Sequence, residues 1–410
     1  MNGYGNSVFL RTAWEVSGGV PPVNTVAPAI TGTAQEGQIV TCSIGTWTGT
    51  PTITFAYQWK RNGSNIGSAT NSTYTLVTAD VSQSITCQVT ATNGSGSASA
   101  TSNTITPTAA FIGLLDTYSG ATAAYSLRRL STAYTSALIR VRRSSDNAEQ
   151  DISYDSNNVL DETALTTFVG ANSGFITKFY NQGTGSSLDF EMPTAISQPR
   201  IVNAGTIDKK NSKPSIYFDG SNDYMYIASS ASSMSFLHKT GQKALFIAAQ
   251  AGTSSNPNAS YVFMSNNSLT SISTGYGLFY DDSSAVPRNN AMVSRVSTGV
   301  LDLFNSNNVN DNYYTPNQLN LLTNLLDNSN VNTFARNLLY YNGDALAATN
   351  TFANLPSTGN ASQSFTLGRR DVNADFHLNG YVSEIIIYPS NQSTNRTGIR
   401  DNINTNYSIY

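Results

Sequence analysis

The chain has 410 residues, 25 acidic against 22 basic side chains and a formal net charge of −3; its length suits about two to four compact units and excludes a single minidomain. Charged residues make up only 11%, against about 25% in an ordinary soluble protein, so the electrostatic footprint of a nucleic-acid binder is missing. Two histidines and two cysteines leave little for a zinc centre, a haem or a Ser-His-Asp relay, and neither a metal nor a cofactor is expected.

The N-terminal segment, residues 1–21, scatters Val8, Phe9, Leu10, Trp14 and Val16 among glycines, and its run closes at Gly18-Gly19, ahead of Pro21 and Pro22. It cannot bury itself and reads either as a disordered terminus or as a docking arm that orders on a partner protein through Phe9 and Trp14. It lacks a basic n-region followed by an apolar stretch, and nowhere do 18 apolar residues run together, so neither signal-directed export nor membrane insertion is expected.

Residues 22–107 alternate as short strands around Val40, Tyr57, Leu76 and Val89, separated by turn signals at Asn62-Gly63 and Asn93-Gly94. Cys42, then Trp59 in YQWKRNG, then an acidic turn at Asp80 leading to Cys87, resembles an immunoglobulin-like domain of the bacterial and phage type. That resemblance implies a core of Trp59 packed on Cys42 and Cys87, bonded or as thiols. Ile85 stands where the family's corner tyrosine would be.

From residue 108 to 410 the pattern remains strand-like, with helices expected over 161–169, which opens on Asp161, and over the last segment, where Ile399, Ile403 and Tyr407 share a face. KPSIYFDGSNDYMYI (213–227) and LNGYVSEIIIYPSNQSTNRTGIRDNINTNYSIY (from 378) resemble the first and last strands of a concanavalin A-like, laminin-G-like jelly roll, which lie side by side in that fold. Ahead of them, LLDTYSGATAAYSLRRL (114–130), IRVRRSSDNAEQDI (139–152) and FITKFYNQGTGSSLDFEMPTAISQPRIVNAG (175–205) resemble the catalytic domain of fungal α-L-arabinofuranosidase B, a signature that also recurs in structural proteins of tailed phages. The fungal enzyme's cysteine-rich framework is missing here. The fold expected is therefore all-β: an Ig-like β-sandwich over 22–107, then a jelly-roll sandwich over 108–410 whose stretch 111–205 is arabinofuranosidase B-like.

Two kinds of site compete. A retaining glycosidase needs two carboxyl groups about 5–5.5 Å apart, and Asp219, Asp223, Asp281, Asp282, Asp371, Asp375 and Glu384 are the candidates, although Asp219 and Asp223 also suit turn-capping and Glu384 a paired strand carboxylate. A lectin needs an aromatic ring and amide or carboxylate groups on loops, which Tyr280, Asp281 and Asp282, and above all Asn312, Tyr313 and Tyr314, supply. Arg140 and Arg142 should share one strand face with Ile139 and Val141 on the other, while Arg143 pairs with Asp146 or Glu149.

These readings combine into a virion protein, assembled in the host cytoplasm and exposed on the particle surface. It would dock on other virion proteins through its arm, as a homo-oligomer or in many copies, and bind cell-surface or mucus glycans as a head-fibre, decoration or tail-associated adhesin. The alternatives are a glycoside hydrolase of arabinofuranosidase-like type and a purely structural component.

Overall fold

The computed structural model describes residues 18–228, 230–252, 260–265, 276–281, 288–293, 303–305, 317–327, 329–330, 337–345, 364–369 and 377–410. The chain divides into two compact units, Met1–Phe111 and Ile112–Tyr410. Both are built of sheets, as the alternating sequence requires.

In the first unit a three-stranded sheet (Ile30–Thr31, Ile39–Cys42, Thr73–Thr75) faces a four-stranded one (Ser64–Asn65, Thr54–Arg61, Ile85–Asn93, Gly96–Thr101). Strand Ile85–Asn93 buries Ile85, Cys87, Val89 and Ala91 in strict alternation, the period-two signature of a half-buried strand. Those side chains meet Val40, Cys42, Trp59 and Leu76 in one core. Trp59 is the cross-strand partner of Cys87; its indole N–H donates to the Asn71 carbonyl at 2.9 Å, and its ring lies 5.4 Å from that of Tyr74. Cys42 and Cys87 are buried free thiols that donate to the Ser43 and Gln88 carbonyls at 3.3 and 3.9 Å, and the neighbouring Cys42 thiol together with burial pushes the Cys87 thiol up.

The acidic turn before Cys87 has a definite task. Asp80 is fully buried and accepts from Arg61 Nε at 2.7 Å, Tyr74 Oη at 2.9 Å and the Val77 amide at 2.8 Å. It thereby ties Arg61, Tyr74 and the Val77 backbone together beneath the turn. The bridge from Gln35 to Thr108 carries the unit's hydrogen bonding past Pro107.

The second unit is a sandwich organised about the strand Asn379–Tyr388. That strand pairs along one edge with Ala123–Ser126 and Ile216–Asp219 and along the other with Gln242–Ala251. The juxtaposition of Ile216–Asp219 with Asn379–Tyr388, Asp219 opposite Asn379, is the one the jelly-roll resemblance implies. The opposing layer runs through Met225–Ile227, Phe365–Leu367 and Ser260–Ser265. Between the layers lies a large core that includes Tyr125, Ile139, Phe179, Phe190, Phe218, Ile247 and Ile385.

Outside the first layer, Ala244, Phe246, Ala248, Ile386 and Tyr388 form a second apolar face. It is covered by the helix Arg396–Tyr407, which buries Ile399, Ile403 and Tyr407 at a spacing of four. The other expected helix spans Glu162–Val169, with Asp161 as N-cap accepting from the Ala164 amide at 2.8 Å. The arginine strand behaves as alternation dictates: Ile139 and Val141 are buried, Arg140 is bidentate to Asp151, and Arg143 is bidentate to Asp146.

Candidate functional site

The turn Asp219-Gly220-Ser221-Asn222-Asp223 joins two strands of opposite layers at one end of the sandwich. Asp219 Oδ1 accepts from the Ser221 amide at 2.8 Å and the Asn222 amide at 3.3 Å, while Asp223 Oδ2 accepts from the Asp219 amide at 3.0 Å. Both aspartates therefore shape the turn. Gly220 sits at φ +77°, and a Cβ there would lie 2.7 Å from that of Asn379, so only glycine lets the two segments meet.

Asp223 does more than cap. It is 7% exposed, and burial, then repulsion from the Asp219 carboxylate, pushes its carboxyl up to about 7 against the pull of the Asp219 amide and Arg200. A carboxyl group that titrates near neutral pH can both give and take a proton in that range. At Gly368, φ +81°, a Cβ would lie 2.6 Å from the Phe218 ring and 3.5 Å from the Asp223 carbonyl oxygen, so glycine is what fits there. Next to it, the Arg369 guanidinium lies 3.5 Å from the centroid of the Tyr224 ring. Arg369 forms a β-bridge with His377, and its buried Nε has no hydrogen-bond partner among the described residues.

Strand register brings further chain ends to this place. Leu367 pairs with both Met225 and Met264, so Ser260 lies beyond Arg369 at the same end, and Asp281 pairs with Ser260 and Arg288. The Gly252 amide donates to the Asn379 carbonyl at 2.7 Å. The ends bounding segments 253–259, 282–287 and 370–376 thus gather around the Asp219–Asp223 turn.

Of the sequence candidates, Asp219, Asp223 and the strand residue Asp281 come to this end, with Tyr280 preceding Asp281 in the strand Tyr276–Asp281. Asp282, Asp371, Asp375, Asn312, Tyr313, Tyr314, Phe9 and Trp14 lie outside the described residues. Cys42, Trp59 and Cys87 are core residues of the first unit. Glu384 is elsewhere and fully buried: Arg128 Nε and Nη2 donate to it at 2.8 and 2.9 Å, and Ser126 Oγ at 2.7 Å. This is a structural ion pair across the sheet. Sequence reasoning missed Tyr224 and Arg369, which neither spacing nor composition connects. Among the described residues no group of three or more His, Cys, Asp or Glu could hold a metal, and no helix is long and apolar enough to cross a membrane.

Residues 116–277, under half of the chain, match the family model described as alpha-L-arabinofuranosidase B, catalytic. No curated protein matches. Among solved structures, the chain is similar to a GH54 α-L-arabinofuranosidase soaked with a cyclic sulfate inhibitor (14% identity, TM-score 0.46). It is similar also to an arabinofuranosidase complexed with arabinofuranosyl-alpha-1,2-xylobiose (13%, TM-score 0.46); each alignment covers 69% of this chain and 62% of the other. The chain thus spans less than two thirds of those proteins' length. A Ruminococcus gnavus IT-sialidase CBM40 bound to alpha2,3 sialyllactose is 14% identical with a TM-score of 0.34, over 45% of this chain and 94% of that one. Likeness at this level leaves the fold resting on the chain's own sheets and registers.

Proposed function

We propose that the second unit is a glycoside hydrolase of arabinofuranosidase type, working at the end of the sandwich around the Asp219–Asp223 turn. The observation that carries the reading is the family match over residues 116–277, which contains that turn. The chemistry of the turn agrees with it. A retaining glycosidase needs one carboxylic acid to protonate the leaving oxygen and one carboxylate to attack the anomeric carbon. Asp223, held near neutrality, is the acid; the attacking carboxylate comes from the strands and segments that meet there, with Asp219 and Asp281 the nearest in the chain's topology. In this reading the Arg369–Tyr224 stack lines the approach for the sugar.

The test is release of 4-nitrophenol from 4-nitrophenyl α-L-arabinofuranoside by the full chain, followed in wild type and in the Asp223→Asn and Asp281→Asn variants. Turnover in wild type with a loss of at least a hundredfold in kcat for Asp223→Asn supports the assignment. No release from any pentofuranoside would overturn it.

A second reading, glycan binding without turnover, is favoured by the same Arg369–Tyr224 stack, since a half-buried ring beside polar groups is a sugar platform. Display of such a site on a tailed-phage virion is supported by the sequence resemblance. Retention of the full chain on a glycan array without sugar release, and its detection on intact particles, would test the two parts separately.

A further inference from the structure

An open groove of about 610 Å³ lies between the helix Arg396–Tyr407 and the strand ends beneath it, lined among others by Tyr118, Arg128, Lys213, Asn402, Thr405 and Asn406. It is not the site described above. Arg128 grips Glu384, which lies five residues along the strand from Asn379, roughly 17 Å at strand rise.

The groove's floor is built. Arg128 spends Nε and Nη2 on Glu384, and Nη2 also donates to Asn402 Oδ1 at 2.8 Å. A guanidinium carries five N–H donors, and Nη1 has no acceptor among the described residues, so that edge is the one it presents to the groove. The wall is built as well: a Cβ at Gly398 would lie 1.9 Å from Tyr118 Oη, so glycine is what lets the helix press against that ring. Asn402 and Asn406 are one helical turn apart, half-buried on the flank of the helix beside Ile399, Ile403 and Tyr407, and Thr405 stands next to them on the exposed side.

The charges leave one cation over. Glu384 neutralises Arg128, and Arg400 holds Asp401 at 2.6 Å. Lys213 has no carboxylate partner among the described residues. The lining mixes polar and apolar surface and includes the Asp401 carboxylate, whose charge Arg400 meets, so that Lys213 leaves it one positive charge net.

We propose that this groove is a second carbohydrate site, distinct from the hydrolytic one, that takes a saccharide bearing a carboxylate. The uronate carboxylate meets Lys213 and the free edge of Arg128, and ring hydroxyls meet Asn402, Thr405 and Asn406. The choice of a saccharide as ligand class rests on the hydrolase reading; the preference for an acidic one rests on the groove.

Isothermal titration of the full chain with trigalacturonate, and with xylotriose as the neutral counterpart, tests it. Binding of trigalacturonate at least tenfold tighter than xylotriose is expected, falling at least tenfold in Lys213→Met and in Thr405→Trp, which fills the groove from an exposed position. Hydrolysis of 4-nitrophenyl α-L-arabinofuranoside should be unchanged in both variants. Absence of trigalacturonate binding, or equal binding by wild type and both variants, overturns the site, and equal affinity for the neutral sugar overturns the carboxylate preference. Binding without hydrolysis in wild type would remove the proposed activity and leave this groove standing, whereas hydrolysis without binding would do the reverse.

Discussion

Replacing Asp223 by asparagine separates the turn-capping role of this side chain from its proton. The asparagine oxygen can still accept from the Asp219 amide, as Asp223 Oδ2 does at 3.0 Å, while the ionisation disappears. In the folded protein the carboxyl titrates near 7, driven first by burial and then by Asp219, against an ordinary value of 3.8. For an acid whose folded pKa is raised, the unfolded chain gives up its proton first. Stability is therefore full below about pH 3.8, falls as pH rises, and levels off above about pH 7. Between pH 5 and pH 7 the loss amounts to about 3 kcal/mol, at about 1.4 kcal/mol per pH unit. Asp223→Asn escapes that loss. Its advantage over wild type should grow by about 3 kcal/mol from pH 5 to pH 8, a gain of roughly 6–12 °C in Tm for a unit of this size. Calorimetric melts of both proteins at the two pH values and matched ionic strength measure it. A Tm difference that is the same at pH 5 and pH 8 would refute the buried-proton argument. The more stable variant should also be the less active one, as expected where a site holds a group in a costly environment.

Other expectations follow from the packing. Arg128→Met strands the buried Glu384 carboxylate and should cost about 3–5 kcal/mol by denaturant titration, whereas Arg128→Met combined with Glu384→Leu should recover much of it; equal damage in both would show that the charges are not the issue. Gly220→Ala meets Asn379 at 2.7 Å with the backbone at φ +77° and should destabilise by about 1–3 kcal/mol, partly relieved by Asn379→Gly; an unchanged melting curve would contradict the close approach. Trp59→Ala empties the centre of the first unit and should lower that unit's stability by about 3–5 kcal/mol in denaturant. Asp161→Ala removes the N-cap of Glu162–Val169 and should cost about 1 kcal/mol.

The elements visible in the sequence were those with a local signal. Ile399, Ile403 and Tyr407 announce a helix because their spacing matches its turn, and Asp161 marks a start because its side chain satisfies an otherwise orphan amide. Cys42, Trp59 and Cys87 share a core because each falls on the buried phase of its strand. The site was legible only in part. Asp219 and Asp223 stand in one Gly-Ser-Asn turn, yet Asp219 is exposed and Asp223 is buried, at the end of the sandwich where Gly368, far along the chain, comes close to the Phe218 ring. No local pattern carries that contact. The same holds for Arg128 and Glu384, 256 residues apart, and for Arg369 over Tyr224. Alternation places a carboxylate on a face; what it meets there depends on which strand arrives alongside.

The position of Asn379–Tyr388 in the chain sets a timetable for synthesis. Its partner strands, Ala123–Ser126, Ile216–Asp219 and Gln242–Ala251, all leave the ribosome before it does. Ser126 must wait 258 residues for Glu384, roughly 10–50 s at usual elongation rates. Through that interval the apolar edges that will flank the missing strand have nothing to pair with, while the first unit already has its full set of strands. Nascent second units are thus the aggregation-prone species, and a release that stops short of Tyr388 leaves a sheet without its middle.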